Sequence, residues 1–157
     1  MASGTVDPRV LVQVTGDELH ETEFARRIDV GDAGAVVTFS GRCRSEDGRL
    51  SALELEHYPG MVERRLHDMA AEILERHRLN AIGVAHRYGV VPVGGTIVVV
   101  VAAASHRQAA FDGANRLMDY LKTNAPFWKK EHRADGRPGE WIDERAADRD
   151  ARARWER

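Results

Sequence analysis

The chain has 157 residues, with 23 Lys and Arg against 25 Asp and Glu, a formal net charge of −2. That balance removes any global electrostatic reason to bind nucleic acid, so a site for an anion has to be local. One cysteine, Cys43, excludes an internal disulfide and any multi-cysteine metal site, which suits a reducing cytosol.

Met1-Ala2-Ser3-Gly4 shows no basic region leading into an apolar run, and no segment approaches the roughly 20 apolar residues of a spanning helix. A soluble, cytoplasmic protein without membrane contact is expected. A chain of this size buries roughly 70% of its unfolded surface and needs no staple. With no repeat or linker, one domain over 1–157 is expected. Its last segment, 143–157, is almost wholly charged or alanine and reads as a solvated helix or a mobile tail.

In chain order, the valine-rich runs Val10 to Val14 and Ala35 to Phe39 predict two strands. Between Leu50 and Tyr58, Leu53 and Leu55 alternate with Glu54 and Glu56, the period-2 pattern of a strand with one wet face, ended by Pro59-Gly60. Val62, Leu66, Met69, Ile73 and Leu74 then recur at helical spacing. Ile82, Val84 and His86 predict another strand, and Pro92-Val93-Gly94-Gly95 a turn. Thr96 to Ala103 predicts a largely buried strand that completes a hairpin. A second long helix is predicted from about His106 to Lys122, with Ala110, Ala114, Leu117, Met118 and Leu121 inward. Helices alternating with paired strands give an α+β class, a mixed two-layer sandwich.

Ser105 followed by Gln108 matches a capping box, which would place His106 and Arg107 in the first turn of the second helix. Cations are disfavoured there by a few tenths to about 1 kcal/mol unless an anion such as phosphate neutralises them. The alternative is that His106 stays neutral and Arg107 pairs with a surface carboxylate. The helix start alone does not decide between these readings.

Lys122 falls in the last turn of that helix, with Asn124 suited to a left-handed cap and Pro126 unable to continue it. Dipole complementarity alone explains a lysine there. The following Ala125-Pro126-Phe127-Trp128-Lys129 adds apolar bulk and a second lysine. Desolvation and a neighbouring cation both lower an amine's pKa, while a bound phosphate raises it. Arg42 and Arg44 share a face if the strand through Phe39-Ser40-Gly41 continues, and Gly41 permits close approach of a ligand or backbone. Cys43 between them would turn the other way, into a core. Arg145 has acidic neighbours and by itself suggests an ion pair. No H-E-x-x-H, Walker loop, dinucleotide fingerprint or G-x-S-x-G elbow occurs, so no metal is expected.

Together, Phe39-Ser40-Gly41-Arg42-Cys43-Arg44, Leu55-Glu56-His57-Tyr58-Pro59-Gly60-Met61, Pro92-Val93-Gly94, Ser105-His106-Arg107 and Met118 to Glu131 closely resemble the large, catalytic subunit family of molybdopterin synthase. The likeness runs from about Val10 to Trp141. It implies an α/β hammerhead-type fold and a homodimer within a heterotetramer, each protomer carrying a small ubiquitin-like sulfur-carrier subunit. The carrier's C-terminal Gly-Gly tail would deliver sulfur as a thiocarboxylate, without a cofactor, to cyclic pyranopterin monophosphate, forming the dithiolene of molybdopterin. By the same resemblance Lys122 and Lys129 are catalytic. Arg44, His106 and Arg107 bind the substrate, partly across the dimer interface, and Arg145 lies near the pocket. A short Ser45-Glu46-Asp47-Gly48-Arg49 loop and Cys43, where an aliphatic residue is more usual, depart from the pattern. The competing expectation is a non-catalytic α+β dimer that binds a phosphorylated metabolite and regulates a partner.

Overall fold

A computed structural model describes residues 6–124 and 127–142. Its elements are β1 (Val10–Thr15), α1 (Glu21–Arg26), β2 (Ala35–Arg42), β3 (Leu50–His57), α2 (Met61–Arg76) and β4 (Ala81–Arg87). They continue with β5 (Gly89–Pro92), β6 (Thr96–Ala104), α3 (Arg107–Thr123), β7 (Phe127–Arg133) and β8 (Trp141–Ile142). The strands form two four-stranded sheets, ordered β1-β4-β6-β2 and β5-β3-β7-β8. This is a mixed α+β fold.

In the first sheet β1 runs parallel to β4, while β4 and β2 flank β6 antiparallel. Strand alternation sorts β6 between two cores. Val98, Val100, Ala102 and Ala104 join Leu66, Ile73, Leu74 and Leu117 beneath α2 and α3, whereas Val99, Val101 and Ala103 face Leu19, Phe24 and Ile28 around α1. Full burial of a Leu or Ile side chain contributes roughly 1.5–3 kcal/mol. The stripe on α2 is therefore what docks the helix, with Gly60 donating its N–H to Glu63 Oε2 at 2.7 Å to close the helix start. On the other side, Thr96 Oγ1 donates to Glu21 Oε1 at 2.6 Å, tying α1 to β6 and holding the Glu21 carboxyl below the usual range.

The predicted pairing of the strand at Ile82 to His86 with the strand at Thr96 to Ala103 is present as β4 and β6. Between them, however, the chain leaves the first sheet: β5 crosses to pair antiparallel with β3. The second sheet holds most of what periodicity did not reveal. β7 pairs with β3 through Leu55↔Lys129, Glu56↔Trp128 and His57↔Phe127. Four of the seven residues of β7 are Lys, Glu or Arg, and two of these pair locally, Glu131 with Arg49 at 2.6 Å and Arg133 with Asp135 at 3.0 Å. The short α1 and β8 also carried no periodic signal long enough to read.

Two cap expectations fail. The first residue of α3 is Arg107 and its N-cap is His106, with no capping side chain. Gln108 reaches forward to Asp112 Oδ1 at 2.9 Å rather than back toward Ser105, so no capping box forms. Asn124 closes the helix at φ −129°, not left-handed, its N–H donated to Tyr120 O at 2.7 Å. Arg145 and the segment 143–157 lie outside the described residues.

Candidate functional site

A cleft of about 410 Å³ opens where the two sheets meet beside the C-terminal end of α3. Each side chain reaches it for a local reason. Lys122 comes from the last turn of α3, where the helix dipole favours a cation. Lys129 comes from β7 two residues beyond Phe127, on the face it shares with buried Leu55. Arg42 ends β2, and both its Nε and Nη2 donate to Gly94 O, at 3.1 and 2.7 Å. Arg44 follows at the rim, paired with Glu46 at 3.0 Å. The strand also needs its glycine: a Cβ on Gly41 would sit 2.7 Å from Val98 Cγ1.

The cleft lining thus contains four cations, Arg42, Arg44, Lys122 and Lys129, against two carboxylates, Glu46 and Glu131. Glu131 is further engaged by Arg49 at 2.6 and 3.1 Å. Behind the charges lies an apolar wall that includes Leu53, Ile97, Met118, Leu121 and Phe127. An anion with a flat, partly apolar body fits such a lining: the wall excludes water, and exclusion of water strengthens the charge contacts.

Cys43 sits between the two arginines in sequence, but its side chain enters a small core that neither arginine joins. It is 3% exposed and packs with Leu55 and Val91. Burial pushes its thiol above the usual range, so it is a poor nucleophile near neutrality.

His106 and Arg107 are not in this cleft. Both are exposed at the N-terminal end of α3, and the helix rise puts Arg107 roughly 22 Å from Lys122 along the axis. An anion at His106 and Arg107 with an amine nearby is therefore not an arrangement of one chain. Among the described residues, no group of three or more His, Cys, Asp or Glu side chains is disposed to hold a metal ion. No helix there is long and apolar enough to cross a membrane.

One lining residue had no signal in the sequence. His86 on β4 is 4% exposed and stacks on Phe127, with ring centroids 3.8 Å apart and planes 14° from parallel. Its Nδ1 lies 3.0 Å from Arg87 O, and since a carbonyl only accepts, Nδ1 carries the hydrogen. Burial, reinforced by Lys129, Lys122 and His57, lowers its pKa to about 3 against the hydrogen bond's opposing effect. The ring is neutral across the physiological range.

The family described as MoaE protein matches residues 14–124 of the chain. A molybdopterin synthase catalytic subunit of Brucella melitensis is 56% identical over 125 residues, covering 80% of this chain and 77% of that protein. The structure of molybdopterin cofactor biosynthesis protein E from Burkholderia multivorans superposes with a TM-score of 0.74 at 39% identity, covering 94% of this chain and 97% of that one. A Helicobacter pylori chain, from a complex of subunits 1 and 2 of molybdopterin-converting factor, shares the fold. Its TM-score is 0.65 at 19% identity, over 87% of this chain and 91% of that one.

Proposed function

The chain belongs to the MoaE protein family, with molybdopterin synthase catalytic subunits among its relatives, and from that membership we propose that its cleft carries out the sulfur insertion that makes molybdopterin. The general role is sulfur transfer in molybdenum cofactor biosynthesis. The finer reading is that a small ubiquitin-like carrier threads its C-terminal Gly-Gly thiocarboxylate toward Lys122 and Lys129, where cyclic pyranopterin monophosphate waits.

The observation that carries this reading is the excess of cations over carboxylates in a cleft with an apolar wall. Donor and substrate are both anionic. In each transfer the thiocarboxylate sulfur bonds to a pterin carbon and displaces an oxygen substituent there. Water then hydrolyses the resulting thioester, leaving a carboxylate on the carrier and a thiolate on the pterin, so negative charge has to be stabilised as it moves. Lys122 is assigned proton transfer or stabilisation of that charge, with Lys129 assisting and holding the carrier's terminal carboxylate. Arg44 at the rim suits substrate binding, and Arg145, outside the described residues, keeps its proposed place near the pocket by resemblance alone.

Arg107 and His106 reach a cleft only if a second copy of the chain supplies them. β2 is an edge strand whose Val36 is 50% exposed, and Phe111, one turn beyond Arg107, is 58% exposed. Apolar surface beside an open strand edge is what a self-complementary dimer covers. Two chains and two carriers then make a heterotetramer with composite sites, each pairing the lysines of one chain with the His106 and Arg107 of its partner.

The test is sulfur transfer reconstituted with thiocarboxylated carrier and the cyclic monophosphate. Lys122→Ala is expected to abolish product while leaving fold and carrier binding nearly intact, since a cation at an exposed helix end contributes only about 0.3–1 kcal/mol. Near-normal turnover by this variant at saturating carrier would sink the lysine's role. Tight pterin binding by the wild type with no transfer would favour the non-catalytic dimer instead.

A further inference from the structure

We propose that His86 is a positioning residue for the lysine pair: its ring is the shelf on which Phe127 stacks, and this stack fixes where β7 begins relative to the end of α3. The inference rests on the sulfur-transfer reading for its consequence and on geometry for its content. His86 belongs to the first sheet through β4, and Phe127 to the second through β7, so their 3.8 Å stack is a contact between the two sheets at the floor of the cleft.

Only three peptide bonds separate Asn124, which closes α3, from Phe127, which opens β7. Lys122 lies two residues before that link and Lys129 two residues after Phe127. Anchoring Phe127 therefore sets how the two amines face each other across the cleft. β3 pins β7 in the hydrogen-bonding direction through His57↔Phe127, but pairing leaves the start of a strand free to tilt. The stack removes that freedom.

The chemistry of the ring suits the task. The hydrogen bond from Nδ1 to Arg87 O fixes its orientation. The charged and titratable groups facing it are Lys122 from α3, Lys129 from β7 and His57 from β3, all of which oppose its protonation. A flat, neutral ring that does not change charge during turnover keeps both its stacking face and the lysine geometry constant. Its effect on the reaction passes through Phe127 and Lys129, because misplacing a reacting group by about 1 Å costs up to roughly a hundredfold in rate.

The experiment compares the full chain with His86→Leu, His86→Phe and Phe127→Leu. The first readout is acylation of Lys129 relative to Lys130, its neighbour on the same strand, resolved by mass spectrometry without carrier or pterin. The second is kcat and KM for sulfur transfer. His86→Leu and Phe127→Leu are expected to shift the acylation ratio about twofold or more in the same direction. Both should lower kcat on the order of tenfold, with KM for the pterin little changed. His86→Phe, which keeps a flat ring, is expected to restore the wild-type ratio. If His86→Leu does not fold, Phe127→Leu at the half-buried strand start carries the same expectation. A folded His86→Leu or Phe127→Leu with the wild-type ratio overturns the proposal, and so does a His86→Phe as displaced as His86→Leu. A wild type that transfers no sulfur would instead defeat the functional reading, while the ratio would still decide the stack.

Discussion

Cys43 shows how far single residues can be read from sequence. Alternation past Gly41 predicts that it turns away from Arg42 and Arg44, and it is buried against Leu55 and Val91 with its thiol pKa raised. In the proposed reaction sulfur arrives on the carrier, so the only thiol of the chain has no part in it. Cys43→Ser is expected to cost about 1–3 kcal/mol by placing a hydroxyl among apolar groups, and to retain most turnover per folded molecule. Denaturant unfolding measures the first, and a transfer assay normalised to folded protein the second. A persulfide on Cys43 during turnover would contradict it. That Arg44, Lys122 and Lys129 line one cleft could not be read from spacing, since Gly41, Asn124 and Pro126 mark only where elements end; the family resemblance alone grouped the three. His86 was not legible. A histidine in an apolar strand gives no hint that an aromatic residue 41 positions later will lie on it.

At the scale of elements, legibility followed periodicity. The stripes of α2 and α3 and the valines of β1, β2 and β6 stood out because one side of each meets a large core. β7 did not, because four of its seven residues are charged, and a partner such as Arg49, which pairs with Glu131 from 82 positions earlier, is recorded by no local pattern. Nor did the start of α3, since Ser105 and Gln108 fit a capping box by type yet Gln108 finds Asp112 instead. β4 supplies a pH-dependent contribution to stability. His86 has a folded pKa of about 3 against an ordinary value of 6.5. Between those values the unfolded chain binds a proton that the folded chain does not, so the contribution is full above 6.5 and is lost as pH falls toward 3. The slope approaches about 1.4 kcal/mol per pH unit. His77, also lowered by burial, acts with the same sign. Urea unfolding from pH 6.5 to 5, above the range where the carboxylates of Asp7, Glu21 and Asp135 matter, should show falling stability in the wild type. The fall should be shallower in His86→Phe, and an unchanged slope in that variant would mean that His86 is not held neutral by the fold.

For the whole molecule, the separation of Arg107 from Lys122 has a consequence that mixing experiments read directly. If each site joins Lys122 of one chain to Arg107 of the other, Lys122→Ala and Arg107→Ala are each inactive alone, but a mixed dimer rebuilds one intact site. Random exchange of subunits should then recover about a quarter of wild-type activity. If both residues served the same cleft within one chain, mixing would restore nothing, so an inactive mixture whose subunits have demonstrably exchanged rules out the composite site.

The parallel pairing of β1 with β4 also bears on how the chain is made. Val10 leaves the ribosome before its partner Ile82, which follows only after α1, β2, β3 and α2. Until then β1 is an apolar ribbon with no mate, and closing so long a loop is slow. Pulse labelling of amides during refolding should find β1 protected no earlier than β4, because β1 has its place in the sheet only once the later β4 is there to receive it.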